Sequence, residues 1–117
     1  MCVMISAPPA AAPALARGLV AQRLAACVQT LPMTAHYRWR DQIESDEEVL
    51  LLCKSPRSRL PALQDWVRAE HPYELPQITA LPVEGGLPDY LDWVRAECRP
   101  EDQPDEQAEA QSGPATP

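Results

Sequence analysis

The chain has 117 residues, 45% of them apolar, and a formal charge of −7; Phe is absent, and three Trp and three Tyr supply the aromatic bulk. That length fits one domain, and that apolar content is enough for a packed core. Glu101, Asp102, Asp105, Glu106 and Glu109 against Arg99 give −4 and leave about −3 for residues 1–98; with its cations scattered, the chain lacks the clustered Lys and Arg that phosphate binding needs, which excludes nucleic acid as a partner.

Residues 2–6 read as a short buried strand. They form no charged n-region with an apolar h-region, so the cytoplasm is the expected compartment. No apolar run approaches the ~20 residues that span a bilayer, so no membrane partner is expected. Ser6-Ala7-Pro8-Pro9 is a break, with Ser6 a candidate helix cap. From about Ala10 to Cys27 the chain is rich in Ala and Leu. Leu15, Leu19, Val20 and Leu24 fall at helical spacing, and Gly18 weakens the helix slightly.

Residues 28–40 change period. Tyr37 and Trp39 alternate with Arg38 and Arg40, as in a strand, and Asp41-Gln42 reads as a hairpin tip. Glu44-Ser45-Asp46-Glu47-Glu48 is read as a solvated strand end leading into Val49-Leu50-Leu51-Leu52-Cys53. A run apolar on both faces is covered on both sides. Helices of the same chain cover one face, and a second sheet, most simply from another copy, covers the other.

Ser58 to His71 reads as a second helix, with Pro61 in its first turn and Leu60, Leu63 and Val67 as its buried stripe. Glu70-His71-Pro72-Tyr73-Glu74-Leu75-Pro76 is a stiff joint. Pro72 biases His71 out of helical geometry and Pro76 does the same to Leu75. Gln77 to Val83 is a strand ending at Gly85-Gly86. Pro88 opens a short third helix whose Leu91, Val94 and Cys98 share a face. Residues 99–117 offer little to bury and read as an acidic, Pro-rich, disordered tail after a domain of residues 1–98.

Cys2, Cys27, Cys53 and Cys98 are too far apart in sequence for a CxxC motif. Each sits among apolar neighbours, as buried free thiols do, and Cys27 is expected at a helix end. The order β-α-β-β-α-β-α is that of an α+β, ferredoxin-like βαββαβ fold with an extra C-terminal helix.

Five segments, in order, carry a resemblance to the CutA family of divalent cation tolerance proteins: Leu24-Ala25-Ala26-Cys27-Val28; Tyr37 with Trp39; Glu44, Glu48, Val49 and Lys54; His71-Pro72-Tyr73 with Pro76, followed by Leu81-Pro82-Val83; and Tyr90-Leu91 with Trp93. The resemblance covers roughly residues 1–98. It implies a tight homotrimer with a PII-like assembly, and a link to copper tolerance and divalent-cation binding. The chain departs from the family pattern at four places. Ile5 stands where some members carry a cysteine proposed as a copper ligand, and Glu70 where they carry the first of two adjacent histidines. Asp41 replaces the hairpin glycine, and Gln29 the usual asparagine.

His71 with Glu70 is therefore either a weak metal site or a residue that packs at a helix C-terminus. Tyr37, Trp39, Glu48 and Lys54 either line an intersubunit ligand cleft or bury at the subunit contact, with Glu48 pairing with Lys54. The expected function is non-enzymatic: a trimeric cytoplasmic protein responding to metal ions, copper among them, with no required cofactor and Cu or Zn bound at most weakly. The alternative is a PII-like signalling module that binds a small anionic ligand or a partner protein in the clefts. An acylphosphatase-like enzyme is disfavoured, because the break after the first strand supplies no arginine and Pro8 and Pro9 remove amide donors.

Overall fold

A computed structural model describes residues 1–100. Its elements are β1 (Cys2–Ala7), α1 (Ala12–Ala21), β2 (Cys27–Trp39), β3 (Gln42–Lys54), α2 (Leu60–Glu70) after a single 3-10 turn (Arg57–Arg59), β4 (Ile78–Leu81) and α3 (Pro88–Glu97). The four strands form one antiparallel sheet in the order β2-β3-β1-β4. This is the α+β, ferredoxin-like arrangement, with α3 added at its end. The expected tail falls largely on residues 101–117, outside the described residues. Among those described, no helix is long and apolar enough to cross a membrane.

The core lies between one sheet face and the first two helices. Val3, Ile5, Ala7, Leu51 and Cys53 project from alternate strand positions. Leu15 and Leu19 of α1 and Leu63 and Val67 of α2 meet them, all at 3% exposure or less. The opposite face carries an apolar patch that the described residues leave partly open. Met4, Leu50 and Leu52 are half-buried there, while Leu31 and Leu81, in register with that face, are 46% and 43% exposed. So the helices of the chain cover one side of residues 49–53, as expected, and among the described residues the other side stays partly open.

Several boundaries differ from the sequence expectation, each for a local reason. Ser6 is not a cap. It stays in β1, its hydroxyl donates to Gln77 Oε1 at 2.5 Å, and α1 starts later, with Pro13 in its first turn. The same helix ends at Ala21, not Cys27. The Leu24 amide donates to the Leu19 carbonyl at 2.9 Å, the Arg23 amide donates to Val20 at 3.1 Å, and Arg23 takes φ 56°. That is a Schellman ending, which usually places glycine at the left-handed position. Here Arg23 holds it, tied down by Arg59 Nε donating to its carbonyl and by its own Nη1 donating to the Glu97 carbonyl. Val20, counted with the buried stripe of α1, is 45% exposed. Cys27 is the first residue of β2, not a helix end, and is half-buried.

The hairpin turn is Arg40-Asp41, one residue earlier than expected. Both residues are left-handed, at φ 49° and 64°, as a two-residue type I′ turn requires. The acidic run lies inside β3 and pairs with β2 throughout, from Met33 opposite Glu48 to Tyr37 opposite Glu44. β4 is shorter than expected, Ile78–Leu81.

Gly18 faces the Trp66 indole of α2, and a Cβ there would overlap the ring. Gly18→Ala gains about 1 kcal/mol of helix propensity but overpacks the contact by about 1–3 kcal/mol. The expected net result is a loss of about 1 kcal/mol, measured by urea unfolding; a variant more stable than the native chain would show that Trp66 moves aside at little cost.

Candidate functional site

The joint after α2 is built as its prolines dictate. The His71 amide closes the helix on the Val67 carbonyl at 2.8 Å, and His71 itself turns extended, at φ −76° and ψ 137°, as the residue before Pro72 must. Its side chain is 7% exposed and fully employed. The Tyr73 amide donates to Nδ1 at 3.1 Å, and Nε2 faces the Ser6 carbonyl at 2.7 Å. A backbone N–H can only donate and a carbonyl can only accept, so the imidazole carries its proton on Nε2. His71 thereby fastens the joint to the end of β1.

The joint then brings Tyr73 over β3. Its ring stacks at a tilt on His71, with centroids 4.9 Å apart. Its hydroxyl donates to Glu48 Oε2 at 3.3 Å. Burial, followed by the charge of Glu48, pushes the Tyr73 phenol upward from its ordinary value. On the neighbouring strand the Tyr37 hydroxyl donates to Asp46 Oδ2. That bond first, and then desolvation, raise the Tyr37 phenol to about 12. Both tyrosines are thus held as neutral donors. The Arg40 guanidinium sits 5.5 Å from the Trp39 ring centroid and pairs with Glu74 at 3.2 Å across the rim. Both partners of that pair are about three-quarters exposed, so it contributes little energy.

Between the β2–β3 hairpin and the joint lies a groove of about 630 Å³ whose walls include Ser6, Tyr37, Trp39, Glu48, Tyr73 and Gln77. Three of the four expected cleft residues, Tyr37, Trp39 and Glu48, meet here. Lys54 does not. It stands six residues further along β3, and its Nζ donates to Gln29 Oε1 at 2.7 Å instead of pairing with Glu48. Tyr73 and Gln77 also line the groove and are not among the expected cleft residues. Tyr73 reaches the groove only through the path of the joint, which has no periodicity to read. Glu48 is the one buried member of the acidic run, at 5% exposure.

The donor set around His71 does not fit a resident copper or zinc. Both ring nitrogens are engaged, Glu70 is an exposed residue at the end of α2, and no group of three His, Cys, Asp or Glu among the described residues is placed to hold a metal ion. The thiols of Cys53 and Cys98 are buried, and desolvation raises them to about 12 and about 11. Thiolate ligands call for the opposite shift.

Comparison with known proteins agrees with this architecture. The family profile described as CutA1 divalent ion tolerance protein matches residues 1–97. Protein CutA of Mus musculus is 51% identical over 81 residues, which is 68% of this chain and 46% of the mouse protein. The chain thus spans about half the length of such curated relatives. The solved divalent cation tolerance protein (Cut A1) of Thermus thermophilus superimposes with a TM-score of 0.78 at 44% identity, over 80% of this chain and 93% of that one. The PII-like protein CutA from Nostoc sp. PCC 7120 gives 0.81 at 30% identity, over 84% and 96%.

Proposed function

Given that the chain belongs to the CutA1 divalent ion tolerance family, we propose that it is a non-enzymatic, PII-like binding module that assembles as a homotrimer in the cytoplasm and takes part in the response to metal ions such as copper. Residues 1–98 form its working domain, with residues 99–117 as an appendage. The observation that carries the reading is the groove between the hairpin and the joint. It is concave, aromatic-walled and supplied with a few fixed polar groups, as small-ligand sites are. Its two phenols are held neutral, so they suit recognition better than proton abstraction. The partly open face of Met4, Leu31, Leu50, Leu52 and Leu81 supports the trimer, because further copies would bury it. Metal enters this reading only as weak surface binding at His71 and Glu70, because any ligation through Nδ1 competes with the Tyr73 amide.

Light scattering is expected to give three times the 12.9 kDa subunit mass; a monomer at micromolar concentration would overturn the assembly. Calorimetric titration with Cu(II) and Zn(II) is expected to give dissociation constants no tighter than about 10 μM, equivalent to roughly −7 kcal/mol. Nanomolar binding that survives His71→Ala would mean that the metal site lies elsewhere.

A further inference from the structure

The charges of this chain are segregated along its length. Residues 1–40 hold four arginines and no Asp or Glu, residues 53–64 hold Lys54, Arg57 and Arg59 and no acid, and residues 101–117 hold five acids and no cation. The fold brings arginines of the first two stretches together where α3 ends. Arg23, just past α1, donates from Nη1 to the Glu97 carbonyl at 3.1 Å and meets the Glu97 carboxylate only at 3.6 Å. Arg59, in the 3-10 turn before α2, donates from Nε to the Arg23 carbonyl at 3.3 Å. The charges of Arg59 and Arg23 both reach the Cys98 thiol. Arg57 is exposed in the same turn. Among the described residues neither Arg57 nor Arg59 has an ion pair, and Glu97 is the one acid paired to the cluster. The cluster belongs to the ends of the helix layer, not to the sheet face that further copies cover. Cys98, at 1% exposure, fixes where the chain leaves it. Glu101 follows three residues later, at most about 11 Å from Cys98, and Asp102 comes next. Guanidinium groups gathered in one place repel one another, and an acidic segment tethered beside them has an effective concentration on the order of millimolar.

We propose that residues 101–106 dock on the arginine cluster of their own chain, with the carboxylates of Glu101 and Asp102 on Arg57 and Arg59. The contact depends neither on the groove nor on the assembly. Exposed ion pairs are individually weak and are screened by salt, so the docked segment is a salt-sensitive clasp. It makes the chain its own competitor: any outside polyanion must displace it to reach the cluster.

The test compares the isotope-labelled, full-length protein with Arg57→Gln, an exposed change that leaves the bond from Arg59 to Arg23 in place. In about 20 mM NaCl the amide resonances of Glu101, Asp102, Asp105 and Glu106 are expected to differ between the two proteins, and in about 0.5 M NaCl the difference is expected to vanish. The amides of Val3 and Leu63 in the core serve as the fold control and should stay in place. Hexaglutamate is then titrated into the native chain and into a variant carrying Glu101→Gln, Asp102→Asn, Asp105→Asn and Glu106→Gln together. The variant is expected to bind it roughly threefold more tightly or better, because no tethered acid competes for its cluster. Identical tail resonances at low salt, or hexaglutamate binding that is equal or absent in the two proteins, would overturn the docking. Labelled native chains refolded with an excess of unlabelled Arg57→Gln chains decide whose cluster is used. Tail resonances unchanged from the native protein support the same-chain contact, and resonances that move to the Arg57→Gln positions would overturn it in favour of a neighbouring copy.

Discussion

His71→Ala is expected to lower the unfolding free energy by about 2–4 kcal/mol, because it removes two hydrogen bonds and leaves the Ser6 carbonyl and the Tyr73 amide without those partners. His71→Gln, which can still donate toward Ser6, should recover part of the loss. Urea unfolding at fixed protein concentration measures this, since assembly makes stability concentration-dependent. The substitution should also disturb the groove, because Tyr73 then loses the anchor that holds its hydroxyl at Glu48. A change below about 0.5 kcal/mol would show that the joint is fastened by its prolines alone.

The native chain is expected to lose stability steadily above pH 9, and Cys53 should account for a large part of the loss. Its thiol is fully buried and raised to about 12, first by desolvation. The folded state therefore keeps a proton that the unfolded chain releases near pH 9. This contribution is fully present below pH 9 and is lost as the pH rises toward 12. From pH 8 to 10.5 the loss amounts to about 2 kcal/mol for this one group, at about 1.4 kcal/mol per pH unit. Cys98, raised to about 11, acts in the same direction. Cys53→Ala should be less stable at neutral pH but lose less on the way to pH 10.5. Parallel curves for the two proteins across that range would rule Cys53 out as the source.

The elements legible in the sequence are those with local grammar. Pro72 marks the end of α2, Pro88 opens α3, and the alternation of Tyr37 and Trp39 marks a strand. The end of α1 is not legible, because the left-handed residue that stops it is Arg23, held by contacts from the 3-10 turn before α2 and from α3 instead of by the freedom of glycine. The acidic run reads as a strand end because its charge looks solvated. It is a strand because each residue has a partner on β2, and only Glu48 among them is buried, on the sheet face away from the helices. Lys54 groups with Glu48 in the strand pattern, but six residues of strand separate them by about 20 Å. Tyr73 joins the site from a joint whose path depends on His71 reaching back to β1, a tertiary contact with no sequence signal.

The Arg40-Asp41 turn also acts as the ruler of the groove. Thirteen paired positions follow from a loop of two residues, and side chains change faces at every step of a strand. β3 is pinned along its other edge by β1, so one residue inserted at the tip would be absorbed by β2. Tyr37 and Trp39 would swing away from Glu48, while the core residues of β1 and β3, Val3, Ile5, Leu51 and Cys53, kept their places. Loop length at this exposed tip, seven residues from Glu48, is therefore a determinant of what the protein can recognise, and homologous chains with longer tips should differ in ligand before they differ in fold.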